Sequence, residues 1–430
     1  WSDAGKKLHP NYHKKFTEIL ARVDAHPNRR YFVLKSIILN NLYAVDIMEE
    51  AVEICKLRLF LKLAALVDPD PSRDNLGIEP LPDIDFNIRA GNTLVGFATE
   101  NQVEAVLKND LLAYQTVWPE VQREAQEISE QFHLFRQQQT EIGGAVTAKD
   151  KARLSQKLAP LEDRLNAYLA ETYGKTKKTE VKGWVESHRP FHWFLVFYEI
   201  MSKGGFDVII GNPPYVEYKE VRKYYRIQNY ATEECGNLYA FVYERAITLL
   251  SAQGKIGFII PVAAVSTEGY SSLRHLWLAT GNLIISNFND RPGKLFDGLE
   301  HIRLSIVLYA KTKLPSRSVF TTTYLKWLSN ARPQLFHTLT YINVTALLRG
   351  NEIPKLGSLA ESAILMKSQA QRRTVGYYSA QSGSNCIFYT RKLSHFVQVL
   401  DYVPIILDSK GRQRPPTELK QVSIISADKK

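Results

Sequence analysis

Five consecutive residues, Phe206-Asp207-Val208-Ile209-Ile210, are too apolar for a strand with one wet face, and the next five cannot prolong them. The run predicts a buried, central, parallel strand. Gly211-Asn212-Pro213-Pro214-Tyr215 stops it, because two successive prolines remove two backbone donors and fix two φ angles. The loop is therefore stiff, with carbonyls left free to accept hydrogen bonds. Asn212 adds a side-chain carbonyl, and Tyr215 adds a flat aromatic face. Two acceptors beside a ring face suit an exocyclic amine on a planar heterocycle. The acceptors take the amine hydrogens and push electron density onto nitrogen, while the ring stacks. A plain turn accounts for Asn-Pro alone. It accounts poorly for the whole tetrapeptide at the end of an apolar strand.

The rest of the chain supplies partners for such a strand. Residues 41–46 read as a short strand ending in an acid, Asp46. Residues 47–66 place Met48, Ala51, Ile54, Cys55, Leu59 and Leu63 at helical spacing, with Glu49, Glu50 and Glu53 in the first turns, where the helix dipole favours anions. Residues 84–89 read as a second strand, running into Ala90-Gly91-Asn92. Residues 100–173 are rich in Glu, Gln, Lys, Ala and Leu and predict two long helices, broken near Gly143-Gly144 and stopped at Gly174. A charged linker, 175–182, comes next. Beyond Phe191 the pattern predicts helices at 192–201, 237–250 and up to about Ala279. Strands are expected at 255–261, 283–288 and 303–309. This alternation predicts an α/β, doubly wound sheet. Such sheets hold ligands at the carboxyl ends of their strands, which is where the Asn212 loop and Asp46 fall.

Composition narrows the setting. No apolar run reaches the ~18 to 20 residues that span a bilayer. Trp1-Ser2-Asp3 has neither an initiator Met nor a charged-then-apolar leader, which predicts a fragment or a processed product. Three dispersed cysteines, Cys55, Cys235 and Cys386, argue against disulfides and a Cys-based zinc site and predict a cytoplasmic protein. His188 and His192 are four apart but flank Pro190, so a packing or surface role is expected and no metal. The net charge of +11 is unevenly placed. Residues 311–430 carry 18 Lys and Arg against 6 Asp and Glu, leaving 37 against 38 in residues 1–310. A basic segment beside a neutral one predicts polyanion binding that weakens with salt.

Residues 206–215 resemble the catalytic motif of γ-class N6-adenine DNA methyltransferases. Asn41-Leu42-Tyr43-Ala44-Val45-Asp46-Ile47-Met48, with residues 51–59 after it, is similar to the second motif of the Eco57I-like restriction–modification methylases. The likeness covers roughly residues 20–310. It implies a Rossmann-like methyltransferase sheet with a long helical insertion, S-adenosyl-L-methionine as cofactor and duplex DNA as partner. It further implies base flipping and an association with restriction or defence-system subunits. The resemblance implies that Asp46, with Ile47, holds the donor's ribose hydroxyls; the other reading of Asp46 is a helix N-cap. Asn92 resembles the residue that contacts the donor's adenine, or is a turn Asn. Asn212 and the Pro213 carbonyl would receive the target amine, with Pro214 stiffening the loop and Tyr215 stacking on the base. Phe296 matches the aromatic that closes the base's other face. Asn237, Tyr239 and Phe241 match the helix beside the cofactor, or simple core.

The family's glycine-rich first motif has no counterpart before Asp46. Four segments are expected: 1–99 and 191–311 as methyltransferase, 100–190 as the helical insertion and 312–430 as a DNA target-recognition domain. In the last, Arg372, Arg373, Arg391 and Lys392 are candidate DNA contacts, with Tyr377 and Tyr378 among them. Asp408-Ser409-Lys410 resembles half of a metal-nuclease motif but lacks its preceding acid, and reads as a strand followed by a turn. A catalytically incomplete DNA-specificity fragment stays open as an alternative. So does a methyltransferase acting on RNA or protein.

Overall fold

The computed structural model describes residues 10–108, 111–140, 146–299, 301–312, 317–371, 373, 375–380, 386–390, 399–407, 410–416 and 419–424. The chain divides into two units, one ending at Ser358 and one beginning at Leu359.

The first unit opens with helices α1 (Pro10–Ala25) and α2 (Arg29–Asn41), strand β1 (Ala44–Asp46), helix α3 (Glu49–Ala64) and strand β2 (Ile88–Ala90). β1 and β2 pair in parallel, Ala44 with Ile88 and Asp46 with Ala90, as a two-stranded sheet of their own. Glu49 and Glu50 occupy the first turn of α3 and Lys62 the last, matching charge to the helix dipole at both ends.

Next come α4 (Glu100–Leu107), α5 (Leu111–Thr140), α6 (Ala148–Thr172) and α7 (Lys178–His188). Thr147 and Asp150 close a capping box at the start of α6. Leu154, Leu158, Leu161 and Leu165 then recur at helical spacing and are buried in one cluster with Val121, Ile128 and Phe132 of α5. The two long helices expected from composition therefore share an apolar seam, and truncating one of these leucines to Ala costs about 2–5 kcal/mol.

The central sheet is built from β3 (Phe206–Gly211), β4 (Leu250–Pro261), β5 (Gly281–Phe288), β6 (Leu304–Lys311), β7 (Val319–Leu325) and β8 (Ile342–Asn343). Its strands lie in the order β3-β4-β6-β5-β7-β8. β3 lies parallel to β4, and β5 parallel to β7, while β6 runs antiparallel to both β4 and β5. The sheet is thus mixed rather than all parallel. The cause is the β5–β6 connection, a loop without a crossover helix, which returns the chain in the opposite direction.

β3 sits at the edge of this sheet, not at the centre that its apolar run predicts. Helices α8 (Leu238–Leu249) and α9 (Ser271–Thr280) cover one face, where Tyr243 meets Trp277, Phe258 and Tyr309. Ile256, Phe258, Ile260, Val307 and Ile285 are buried. On the opposite face, a row crosses the strands through Ile210, Gly257, Leu308 and Ile284. Ile210 is 80% exposed, Leu308 46% and Ile284 41%. Apolar side chains on both faces of β3 suggest a centre; here one face of the sheet is open instead.

Residues 319–325, expected in a C-terminal domain, extend the central sheet as β7 because Leu283 and Ile284 pair with Val319 and Phe320. The second unit holds α10 (Leu359–Gln369) and the strands β9 (Ser379–Ala380), β10 (Cys386–Thr390), β11 (Val399–Leu400), β12 (Ile406–Leu407), β13 (Gln413–Arg414) and β14 (Leu419–Ile424). Four of these form an antiparallel sheet in the order β11-β10-β14-β9, and β12 pairs separately with β13.

Candidate functional site

The loop after β3 is held from two sides. The Tyr215 hydroxyl lies 2.6 Å from Asn212 Oδ1 and 3.0 Å from the main-chain carbonyl of Ile259 in β4. Pro213 is buried, Tyr215 is half-buried, and Asn212 and Pro214 are exposed. Burial pushes the Tyr215 phenol up to about 12, so it keeps its proton at neutral pH. Downstream, the Leu238 N–H donates to the Val216 carbonyl at 2.9 Å, and the Tyr218 N–H donates to the Gly236 carbonyl at 2.9 Å. Glu217 and Asn237 form an antiparallel bridge between these bonds. The loop is thereby strapped to the start of α8. Tyr239, in the first turn of that helix, meets the Tyr215 ring edge-on at 6.3 Å between centroids and stacks on Tyr270.

The ends of β1 and β2 lie side by side, since the Gly91 N–H donates to the Asp46 carbonyl at 2.8 Å. Asp46 is exposed, and its carboxylate accepts the Met48 N–H at 2.8 Å at the entry to α3. The N-cap of α3 is Met48, so Asp46 forms a turn two residues ahead of it and is not itself the helix N-cap, the other role expected of it. Ile47 is exposed, and its carbonyl accepts from Arg189 Nη1 at 2.9 Å. Asn92 is buried: its Oδ1 accepts the Leu94 N–H at 3.1 Å, and its own N–H donates to the Arg189 carbonyl at 2.8 Å. Leu94 and Leu238 pack in one cluster with Phe241, which brings the segment carrying Asn92 to the helix that begins after Asn237. Gly96 lets the same segment pass close to Phe191. Its φ is +129°, and a Cβ there would stand 2.0 Å from the Phe191 carbonyl oxygen.

The Tyr239 hydroxyl is buried and unmatched among the described residues, and so are two asparagine atoms, Asn92 Nδ2 and Asn237 Oδ1. One is a donor and the other an acceptor, and each is costly to leave without a partner. An acceptor nitrogen and an exocyclic amine, the two groups that a heteroaromatic ring such as adenine carries, are the kinds of partner these two atoms lack. The residues present therefore fit an adenine-containing group in chemistry.

The structure brings Asn212 and Tyr215 into contact, bridges Asn237 to Glu217 two residues further on, and sets Asp46 beside the segment that carries Asn92. Phe296 is half-buried in the loop between β5 and β6. β5 runs in the same direction as β4, so that loop leaves the sheet at the end where Ile259 and Pro261 lie. No ring contact joins Phe296 to Tyr215 among the described residues. In the second unit Arg373 packs over the Tyr377 ring at 4.6 Å, and Tyr377 and Tyr378 are exposed. Arg372, Arg391, Lys392, Asp408 and Ser409 fall outside the described residues. Among the described residues no group of three His, Cys, Asp or Glu side chains could hold a metal ion. His188 stacks on Trp184, and His192 is enclosed by protein hydrogen bonds. No described helix is long and apolar enough to cross a membrane.

Two groups that organise the site escape a reading of the sequence. Arg245, buried on α8, donates through Nε to the Tyr230 hydroxyl at 2.8 Å. It also donates through Nη2 to the carbonyls of Leu94 and Gly96 at 3.1 and 3.2 Å. It ties the segment after Asn92 to the helix after Asn237. A signal exists for it: a charged residue on the buried side of an apolar helix needs partners. The Ile259 carbonyl leaves no signal, since a backbone acceptor has no sequence signature.

Comparison with known proteins gives this arrangement a family. A Methanocaldococcus jannaschii protein described as a type II restriction enzyme and methyltransferase is 32% identical over 276 residues. The match takes in 55% of this chain and 23% of that relative's length. Among solved structures, a nuclease-deletion mutant of the Type ISP restriction-modification enzyme LlaGI with a DNA substrate mimic is similar over 84% of this chain and 42% of its own. Its identity is 12% and its TM-score 0.33. A DrdV–DNA complex is similar over 57% of this chain and 32% of its own, at 11% identity and a TM-score of 0.30. The sequence profile of the Eco57I restriction-modification methylase matches residues 40–292, which include β1, β2 and the 212–215 loop, and the chain belongs to that family.

Proposed function

We propose that this chain belongs to an adenine-specific DNA methyltransferase that methylates N6 in duplex DNA within a restriction–modification system. The observation that supports it most is the stiff loop 212–215, strapped to the start of α8, where Asn237 carries an unmatched buried acceptor. S-adenosyl-L-methionine, when bound, supplies an electrophilic methyl group on sulfonium. Asp46 would hold its ribose hydroxyls and Asn92 and Asn237 its adenine, on a Rossmann-like sheet. Asn212 Oδ1 and the Pro213 carbonyl accept the two hydrogens of the target amine, which keeps the nitrogen lone pair available and aimed. Tyr215, with Phe296 on the other side, stacks on a base turned out of the duplex. The exposed Arg373–Tyr377 pair is of the kind that contacts phosphate and base edges.

Transfer of labelled methyl from S-adenosyl-L-methionine to an adenine-containing duplex tests the proposal. Asn212→Ala is expected to lower transfer about 10²- to 10³-fold, the scale for losing one hydrogen-bonding group at a developing charge, with DNA affinity nearly unchanged. Equal transfer by that variant removes Asn212 from the reaction. Transfer to RNA or protein but not DNA would shift the substrate class.

A further inference from the structure

The Tyr215 hydroxyl has two acceptors within reach and one proton to give. It stands 2.6 Å from Asn212 Oδ1 and 3.0 Å from the Ile259 carbonyl oxygen, both hydrogen-bond distances. One phenolic proton cannot serve two acceptors at full strength. The carboxamide of Asn212 resolves this. Its oxygen and nitrogen ends are nearly alike in shape, so the hydrogen-bond partners decide which end faces the hydroxyl, and half a turn about its last bond exchanges them. After that turn Nδ2 donates to the Tyr215 oxygen, and the Tyr215 proton goes to Ile259. Each donor then has one acceptor. The same turn carries Oδ1 to the open side of Asn212, which is exposed.

We infer that Tyr215 is a positioning residue as well as a stacking ring: its hydroxyl, anchored on β4, sets the Asn212 amide with oxygen toward the incoming amine. The inference rests on Asn212 as the amine acceptor. The orientation decides the sign of that contact. With Nδ2 outward, hydrogens would face the hydrogens of the target amine and repel them. With Oδ1 outward, the contact is attractive. Ile259 matters because a backbone carbonyl within a sheet strand is a fixed point, whereas the hydroxyl alone is not. A carboxylate at position 212 has two equivalent oxygens and no wrong orientation, so it does not need the hydroxyl.

The test is a double-mutant cycle on the full-length protein, read as single-turnover methyl transfer to duplex DNA. Tyr215→Phe keeps the ring and is expected to slow transfer about 10- to 100-fold in the Asn212 background, with the KM for DNA changed less than about twofold. In the Asn212→Asp background the same change should cost less than about threefold. A loss of equal size in both backgrounds, or no loss in either, overturns the inference while leaving the proposed reaction in place. A wild-type protein that transfers no methyl overturns the reaction and this inference together. If Asn212→Asp is itself inactive, the side-chain amide resonance of Asn212 in ¹⁵N-labelled protein decides. One Nδ2 proton should move upfield in Tyr215→Phe, and an unmoved pair overturns the inference. Unchanged far-ultraviolet circular dichroism and thermal midpoint show that the variants fold.

Discussion

His192 is the residue whose chemistry is most constrained by its surroundings. Its Nδ1 accepts the Phe97 N–H at 3.2 Å, so that nitrogen carries no proton, and Nε2 faces Asn166 Oδ1 at 3.1 Å. Complete burial, with the charge of Arg245 adding to it, holds the imidazole down to about 3. An unfolded histidine titrates near ~6.5. Between those values the unfolded chain binds a proton that the folded chain refuses. Stability is therefore lost as pH falls from ~6.5 toward ~3, at ~1.4 kcal/mol per pH unit for this group. Half-buried His188 adds in the same sense. Glu79, Asp85 and Glu199, held below the usual carboxylate range by their cationic partners, add only at lower pH. His192→Gln is expected to lower the urea midpoint at about pH 7.5 and to flatten its decline between about pH 6.5 and 5. A parallel decline in the variant would assign the effect elsewhere. At this scale the sequence is informative about Asn212 and Tyr215, because proline chemistry leaves a trace in the letters. It is silent on their mutual bond and on the anchor of that bond, a carbonyl on a strand 44 residues away.

Among the elements, α5 and α6 are the most legible. Leucine at helical spacing over several turns has one efficient way to be buried. β4, β5 and β6 are legible as strands but not in direction. Whether a strand runs parallel or antiparallel is decided by the connection, and the β5–β6 connection offers neither helical periodicity nor a tight hairpin turn. β3 misleads for a physical reason. An apolar run reports that both of its faces avoid water in the finished protein, not which neighbours achieve this in a given stretch of chain. Val208, 62% exposed, and Ile210 stand on an edge whose outer backbone groups have no ladder among the described residues. The 430-residue chain expressed alone is expected to self-associate with rising concentration, by light scattering. Ile210→Lys combined with Leu308→Lys should suppress this without loss of secondary structure. A monodisperse wild-type chain at high concentration would show that the edge and the apolar row are protected in solution.

For the molecule as a whole, Asp46 and Asn92, proposed to hold the methyl donor, and the 212–215 loop, proposed to hold the target base, follow strands of separate sheets, joined by packing rather than by a continuous ladder. Tyr43 and Val45 share an aromatic cluster with Phe206 of β3, built around Phe191 and Phe197. Arg245 is the polar counterpart of that joint. The one-sided central sheet also has a thermodynamic signature. Unfolding raises heat capacity in proportion to the apolar surface newly wetted, and Ile210, Leu308 and Ile284 are partly wet beforehand. Scanning calorimetry of the wild-type chain should therefore give a heat-capacity increment slightly below that of the same sheet with this face covered. A smaller increment flattens the curve of stability against temperature, so cooling costs the open-faced sheet less than it would a covered one.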